Sequence, residues 1–459
     1  MKRLLLAAAA LLAVEPAGAQ TIAVTNGTVA LGDGSAPIPG GTVVIRNGRV
    51  VAAGASVRVP AGAQVIDATG KWVTPGIVAG FSRLGLNEVD LSGGIADTSA
   101  NNGPFSAAID VAPGINPRST PVAVNRADGV TRAIVAPETA RSIFAGQGAV
   151  IDLGADDQPI TAARRFQFVE LGETGAQKAG GSRPSAHLLF RNALREAREL
   201  GRRLPTVAST RSAGTLPTDQ PEVRDPNESR LYDAQRSQDV LLTRFDAAAL
   251  VPVLQGRQYL LVHAERASDI LQVLGLRREF PALKLVLVGA SEGWTVADKI
   301  AAAGVPVIAS AVNDLPASFE QLAATQSNIG RMRSAGVNVS VGMIDDNDTR
   351  YLFDERQYAG NLVALAKVPG ASGLSWGEAL RLITSAPAEA IGMGRDFGSL
   401  APGRRGDLVI WSGDPLETTS RAEQVYIDGV QQPLVTRQDK LRDRYIDLSR
   451  RELPEAYRR

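Results

Sequence analysis

Residues 71–86 read Lys71-Trp-Val-Thr-Pro-Gly-Ile-Val-Ala-Gly-Phe-Ser-Arg-Leu-Gly-Leu86, and this stretch decides how the rest of the chain is interpreted. It begins with a short β-branched strand that ends at Thr74-Pro75-Gly76. An apolar strand follows and ends in a loop of small residues. An open barrel edge delivers side chains to a ligand-binding mouth in this way. The stretch therefore predicts that a small N-terminal unit gives way to a barrel at about residue 76.

The residues before this point form β-branched segments around turn residues. Asn26-Gly27 and Asn47-Gly48 are strong signals for two-residue hairpins, because a type I′ turn needs positive φ at both central positions. Residues 65–73 predict a further hairpin. We therefore expect a small antiparallel sheet over residues 20–75. Strand-like segments near the other end of the chain would complete it, which gives a small β-sandwich domain from residues 20–75 and 400–432.

Residues 76–399 alternate strand-like and helix-like segments, which is typical of a parallel sheet with crossover helices. Their number favours a (β/α)₈ TIM-like barrel over an open doubly wound sheet. No Gly-x-Gly-x-x-Gly follows a strand, so a dinucleotide-binding fold has no support. Ser375 and Glu378 predict a capped helix over residues 375–393. A charged helix or tail is expected over residues 433–459.

The composition narrows the classes of function. A net charge of +1 argues against a nucleic-acid partner, which would require a concentrated basic face. The chain has no cysteine, which excludes disulfides and thiolate metal sites. Residues 1–19 have the pattern of an export signal, with Lys2-Arg3, an apolar run and a small-residue cleavage site before Gln20. We expect an exported protein, periplasmic or secreted, with no membrane span after signal cleavage.

Several motifs in order along the chain carry a resemblance to a known family. They are Val73-Thr-Pro-Gly-Ile77, Gly146-Gln-Gly-Ala-Val-Ile151, Ser399-Leu-Ala-Pro-Gly403, Gly406-Asp-Leu-Val-Ile-Trp-Ser-Gly-Asp-Pro-Leu416 and Val425-Tyr-Ile-Asp-Gly429. With these motifs the chain resembles the amidohydrolase superfamily, specifically the secreted group similar to imidazolonepropionases. The resemblance implies a (β/α)₈ barrel with a composite β-sandwich. It also implies hydrolysis of C–N bonds by water bound to one or two divalent metals.

The family's metal ligands are only partly matched. The resemblance implies His-x-His after the first barrel strand, where this chain has Phe81 and Arg83. A phenyl ring cannot donate electrons to a metal, and a guanidinium would repel one. On the fourth strand Phe168 takes the place of a family Lys, with Glu170 nearby. These replacements indicate a degenerate metal site.

The later strands give a mixed result. His263 matches the histidine of the family's fifth strand, whereas Gly289 stands where the sixth strand has a histidine. Ile344 aligns with the eighth-strand Asp, and Asp345 follows one residue late. The chain contains two histidines, so the usual binuclear site cannot be built. The other, His187, is interpreted as a residue on a helix surface.

Four residues remain candidates for a site. His263 is either a surviving metal ligand or a histidine whose partners are in the protein. Asp345 is a candidate catalytic acid, although the acidic cluster that it begins is also typical of turns and of Ca²⁺ ligands. Glu265 and Arg83 are candidates for substrate binding. Arg83 could bind an anionic ligand or pair with a carboxylate.

Two functional hypotheses follow. In the first, the protein is a non-catalytic homologue that needs no cofactor. It would bind a small-molecule ligand and form a homo-oligomer, or a hetero-oligomer with an active amidohydrolase. In the second, it is an active hydrolase of C–N bonds with one divalent metal, such as zinc, at an atypical mononuclear site around His263 and Asp345. Fold alone does not choose between them.

Overall fold

A computed structural model describes residues 21–88, 96–203, 241–344 and 349–446. The predicted export signal, the candidate Asp345 and residues 447–459 lie outside the described residues. In the described parts of the chain, no helix is both long and apolar enough to cross a membrane.

A sheet of eight strands forms the barrel. The first and last strands of this sheet approach each other, since the amide of Met343 donates a hydrogen bond to the carbonyl of Phe81 at 3.2 Å. The barrel is therefore nearly closed. In spatial order along the sheet, the strands are β6 (Ile77–Ser82), β7 (Val130–Val135), β8 (Phe144–Asp152), β9 (Ile160–Glu170), β10 (Tyr259–Ala264), β11 (Lys284–Gly289), β12 (Val307–Ala309) and β13 (Val339–Val341).

Helices accompany most of these strands. The described residues include α1 (Thr120–Ala127), α2 (Glu173–Lys178), α3 (Arg183–Arg203), α4 (Arg244–Leu254), α5 (Ala267–Leu274), α6 (Ala297–Ala303), α7 (Asn328–Ser334), α8 (Glu355–Leu365), α9 (Trp376–Leu382), α10 (Ser385–Ala390) and α11 (Arg437–Tyr445). The Ser375–Glu378 capping box is confirmed at the start of α9. The helix predicted over residues 375–393 is divided at Thr384 into α9 and α10.

The strict alternation of strand and helix is wrong in one place. Strand β8 is antiparallel to both β7 and β9. Residues 136–143 and 153–159 connect these strands, and neither connection contains a helix. A parallel pair needs a crossover of about a dozen residues or more, so connections this short impose an antiparallel meander. The remaining neighbours in the barrel sheet are parallel.

Both ends of the chain contribute to a second sheet, as predicted. Its main path is β16-β15-β14-β5-β1-β2-β3, and β4 pairs separately with β1. The Asn47-Gly48 hairpin is confirmed, with φ of 52° and 71°. The strands are β1 (Thr21–Val29), β2 (Ile38–Arg46), β3 (Arg49–Gly54), β4 (Gln64–Asp67), β5 (Trp72–Pro75), β14 (Leu408–Trp411), β15 (Ala422–Ile427) and β16 (Val430–Gln431).

Two expectations for this sheet are wrong. Asn26-Gly27 lies inside β1, where the register against β2 shifts between Val24 and Gly27, so the pair forms an irregularity in a strand and not a hairpin. Residues 65–73 form no hairpin, because β4 and β5 each run parallel to β1. Strand β5 instead pairs antiparallel with β14 from the far end of the chain. The sheet is therefore mixed, and its assignment as a separate sandwich domain stays a prediction.

Candidate functional site

Apolar side chains fill the barrel interior where the family resemblance places metal ligands. Phe81 and Phe168 are 1% and 3% exposed, and their rings meet edge to face with centroids 5.2 Å apart. Both belong to a buried cluster that also contains Ile308. An edge-to-face pair of this kind stabilises a core beyond the area that it buries. At these two positions the barrel has a hydrophobic core.

His263 lies at the end of β10 between two carboxylates. Its Nδ1 is 2.6 Å from Oε1 of Glu170, and its Nε2 is 2.9 Å from Oε1 of Glu265. Glu170 ends the neighbouring strand β9 and is directly opposite His263 in the register. Glu265 follows β10, and its Oε2 accepts a hydrogen bond from the amide of Ser291 at 2.7 Å. We call Glu170, His263 and Glu265 the mouth triad.

The mouth triad occupies space that a sixth-strand ligand would need. Gly289 ends β11 with φ of +88°, and a Cβ atom built on it would lie 2.2 Å from Oε1 of Glu265. The same atom would lie 2.9 Å from Cδ2 of His263. Under about 3 Å such contacts are overpacked and force neighbouring atoms to move. The carboxylate of Glu265 therefore occupies the volume next to the glycine.

The charges of the mouth triad are mutually stabilised. Burial alone would lower the pKa of His263, but the charges and hydrogen bonds of Glu170 and Glu265 outweigh burial and hold the pKa well above its usual value. Burial would raise the pKa of Glu265, yet the hydrogen bond and charge of His263 and the contacts with Ser291 lower it. The two glutamates thus favour the protonated form of the His263 imidazole.

A cavity of about 530 Å³ opens beside the mouth triad. His263 and Glu265 line one part of it, and Ile344 lines another. The segment after β12 contributes most of the remaining wall, including Asn313 and Glu320. Because the cavity lies at the C-terminal ends of the strands, it is at the position where barrels of this kind bind ligands.

The arrangement does not fit a resident metal. Both ring nitrogens of His263 already bind carboxylates, Gly289 offers no side chain, and Phe81 offers no donor atom. Within the described ranges, no group of three or more His, Asp or Glu side chains has an arrangement that could hold a metal ion. The donor set therefore matches an internal ion pair and not an open coordination site.

The predicted site residues have different outcomes. His263 and Glu265 are brought together at the cavity. Glu265 lines the cavity, but its carboxylate oxygens are also engaged by His263 and by the amide of Ser291. The guanidinium carbon of Arg83 lies 5.5 Å from the ring centroid of Phe81, and Arg83 does not line the cavity. Asp345 follows the lining residue Ile344 and lies outside the described residues.

Three further residues lie outside the four site candidates from the sequence. His187 lies on α3, where its side chain is 17% exposed and approaches Asp269 at 3.5 Å. In the sequence, Glu170 is only a neighbour of the fourth-strand position, and its place at the end of a strand is the signal that could identify it. Glu320 lies in an aperiodic segment that gave no signal.

Comparisons with known proteins agree with this architecture. Residues 295–432 match the amidohydrolase family. The amidohydrolase tasK of Hapsidospora irregularis is 25% identical over 402 residues, which are 82% of this chain. The chain spans 38% of the length of that relative.

Solved structures are similar over most of the chain. The crystal structure of an amidohydrolase from Thermotoga maritima MSB8 has a TM-score of 0.72 and 24% sequence identity, over 89% of this chain and 99% of that one. A triazine hydrolase variant has a TM-score of 0.50 and 17% identity, over 92% and 98% of the two chains. At these identities the likeness shows the fold. The chain thus has the same barrel fold as the Thermotoga maritima amidohydrolase, and its similarity to the amidohydrolase family lies in residues 295–432.

Proposed function

We propose that this chain is a non-catalytic, metal-free amidohydrolase homologue that binds a small molecule at the barrel mouth. The observation that carries the proposal is the engagement of both nitrogens of His263, by Glu170 and by Glu265. A protonated imidazole with two carboxylate partners has no lone pair for a metal and cannot accept a proton from a nucleophilic water. His263 is therefore interpreted as a structural cation.

The surroundings of the mouth triad support the same conclusion. A return to metal binding would need a donor in place of Phe81, whose ring packs against Phe168 in the core. It would also need a side chain at Gly289, where Glu265 already fills the space. Each change would disrupt a packed neighbour, at about 1–3 kcal/mol for overpacking alone. The packing around Phe81 and Gly289 therefore disfavours the introduction of metal ligands at these two positions.

Metal analysis of the purified chain tests this proposal. We expect well below one zinc per chain by elemental analysis, and no hydrolysis above background for a panel of amides, lactams and ureas. The matched control is His263→Ala, which should change neither result. A stoichiometric zinc that is lost in His263→Ala, together with hydrolysis that the same substitution abolishes, would overturn the proposal.

The alternative is an active hydrolase with one metal at His263 and Asp345. This function would require Glu265 to release Nε2 of His263, even though the amide of Ser291 also holds that carboxylate. Zinc added to the chain during refolding would then raise both metal content and hydrolysis in the native sequence. The first proposal predicts that added zinc leaves both unchanged.

Pairing with an active amidohydrolase is a second proposed role. Three apolar side chains in the segment that borders the mouth are strongly exposed: Leu315 at 78%, Phe319 at 83% and Leu322 at 65%. Exposed apolar side chains that recur within a short segment indicate a candidate protein interface. In addition, the match covers 38% of the tasK amidohydrolase, so the rest of that protein is long enough to contain a second unit of this size.

Co-expression with an amidohydrolase that has an intact His-x-His tests the pairing. We expect a complex by size-exclusion chromatography with light scattering, and we expect Phe319→Ser to weaken it. Leu188→Ser is the matched control, because Leu188 is 61% exposed on α3 and does not line the mouth cavity. Equal weakening by both variants, or no complex with the native chain, would contradict the pairing.

Export is also part of the proposal. It is supported by the charged, apolar and small-residue pattern of residues 1–19. Expression of the full chain in a Gram-negative host, followed by N-terminal sequencing of the periplasmic fraction, should give a mature chain that begins at Gln20. Recovery of the uncleaved chain from the cytoplasm would argue against export.

A further inference from the structure

We propose that the mouth cavity takes the protonated amine of a small molecule, with Glu320 as its anionic partner. This inference rests on the proposed ligand-binding function and names the chemical class of the ligand. It depends on the charges around the cavity, on the unused hydrogen-bonding capacity of Glu320 and on the apolar part of the wall.

The charge of the cavity wall favours a cationic ligand over an anionic one. Among the described residues that line the cavity, none is a lysine or an arginine. The positive charge of His263 is already matched by Glu170 and Glu265. An anionic ligand would therefore meet carboxylates without a cation to receive it. The lining favours a ligand that brings positive charge.

Glu320 is the carboxylate that such a ligand would meet, and its side chain is 9% exposed. Its Oε2 accepts hydrogen bonds from the amide of Glu173 at 2.8 Å and from Arg183 at 3.0 Å. Its Oε1 accepts no hydrogen bond from any described residue, although the side chain lines the cavity. A carboxylate oxygen of a largely buried side chain is strongly stabilised by a charged donor. The cavity thus presents an acceptor that its own protein does not use.

Glu320 already contacts one cation of the protein, Arg183. Arg183 also binds Asp269 at 2.9 Å and approaches Glu173 at 3.7 Å, so its single charge is shared among three carboxylates. Burial raises the pKa of Glu320, and the amide of Glu173, His263 and Arg183 only partly oppose this effect. The surroundings of Glu320 are therefore short of positive charge. A ligand ammonium would supply it.

The rest of the wall accommodates a short carbon chain. Val312, Met343 and Ile344 give the cavity an apolar part. Ser310 and Asn313 provide groups that can form hydrogen bonds with polar atoms of the ligand. A volume of about 530 Å³ is within the usual range for small-molecule sites. The combination fits a small amine with an aliphatic or mixed body.

Binding of n-butylamine, which is protonated at neutral pH, tests the inference against two controls of the same size. We expect n-butylammonium to bind about tenfold more tightly than 1-butanol or butyrate, by titration calorimetry and saturation-transfer NMR. Glu320→Gln keeps the shape and removes the charge, and it should weaken amine binding about tenfold. Glu279→Gln is the matched control, because Glu279 also binds arginines but does not line the cavity.

A second variant covers the case in which Glu320→Gln fails to fold. Asn313→Lys places a tethered ammonium in the cavity from a half-buried position, and it should abolish amine binding. Tighter binding of butyrate, no binding of any probe up to about 50 mM, or an unchanged amine affinity in Glu320→Gln would overturn the inference. Stoichiometric zinc with hydrolysis would instead overturn the proposed function, whichever probe binds.

Discussion

Two buried clusters in this barrel each hold a cation between carboxylates, and they differ in their surroundings. Arg132 on β7 binds Asp407 through Nε at 2.6 Å and Asp428 at 3.0 Å, and its side chain is completely buried. Those aspartates flank β14 and β15 of the second sheet, so the cluster joins the barrel sheet to the second sheet. His263 instead borders the mouth cavity. One cluster is a junction within the protein, and the other is a wall that a ligand can contact.

The choice of cation makes the two clusters differ further. A guanidinium keeps its proton at every pH at which proteins fold. Burial alone would lower the pKa of Arg132, but the three aspartates around it outweigh burial and raise the pKa. An imidazolium can lose its proton, so the mouth triad depends on pH. The charge of the Arg132 cluster is therefore independent of pH, whereas the charge of the mouth triad changes with pH.

Removal of the junction cation should have the largest effect. Arg132→Met leaves Asp407 and Asp428 without their buried partner, and we expect the free energy of unfolding to fall by about 3–5 kcal/mol. Urea unfolding followed by circular dichroism measures it. Arg118→Met is the control, because Arg118 forms an exposed ion pair with Asp157 and should change stability little. Similar losses in both variants would contradict the structural role of the junction.

The space next to Gly289 offers the next test, at the mouth. Gly289→Ala adds a Cβ atom 2.2 Å from Glu265 Oε1 at a residue with φ of +88°. We expect it to destabilise the protein by about 2–4 kcal/mol. In a Glu265→Ala background the shorter contact is removed while the 2.9 Å contact with His263 Cδ2 remains, and the cost should fall to about 1–2 kcal/mol. Equal costs in the two backgrounds would show that Glu265 does not fill this position.

The sequence predicted the architecture better than the site. The motifs around Thr74-Pro75-Gly76 and Asn47-Gly48 have local causes, such as fixed φ values, so the barrel start and one hairpin could be predicted. The antiparallel direction of β8 could not be, because a strand buried on both faces has the same apolar pattern in either direction. The pairing of β5 with β14 depends on contacts between distant segments.

The site residues show the same difference between features with local causes and contacts between distant segments. The departures from the ligand pattern implied by the family resemblance, at Phe81 and Gly289, are visible residue by residue. The hydrogen bond between Glu170 and His263 depends on the register of two strands that are distant in sequence. Glu320 comes from a segment without periodicity, and only the folded chain places it beside the mouth. A departure from a family's ligand pattern is therefore easier to predict from sequence than the contacts that the departing residues form.

The pH dependence of the mouth triad is a smaller but more specific test. Because the pKa of His263 is raised in the folded state, its contribution to stability is fully present below its ordinary pKa of about 6.5 and is lost as the pH rises through the folded pKa. His263→Ala should therefore cost about 2–3 kcal/mol near pH 6 and less near pH 9. Urea unfolding at both pH values measures this difference.

His187→Ala is the control for this test, because it removes the other histidine and leaves the mouth triad intact. It should keep the pH dependence of the native chain. If His263→Ala has the same cost at both pH values, then His263 does not carry a proton that depends on Glu170 and Glu265.

A buried carboxyl group without a cation completes the comparison and should show the smallest effect. Glu355, the first residue of α8, is completely buried and has no well-formed hydrogen bond with a described side chain. Burial raises its pKa well above the usual value, and only the amide of Gly80 opposes this effect. Its contribution to stability is therefore fully present below about pH 4.5 and is lost as the pH rises through the folded pKa.

Glu355→Gln keeps the size of the side chain and removes its titration. We expect the variant to match the native chain near pH 4.5 and to be more stable by about 1–2 kcal/mol near pH 8, by urea unfolding. Glu417→Gln, at an exposed residue, should show no such change with pH. A constant difference between Glu355→Gln and the native chain would mean that Glu355 is ionised in the folded state. Burial without a cation would then be tolerated in this barrel, and the carboxylates around Arg132 and His263 would need their partners less than their geometry indicates.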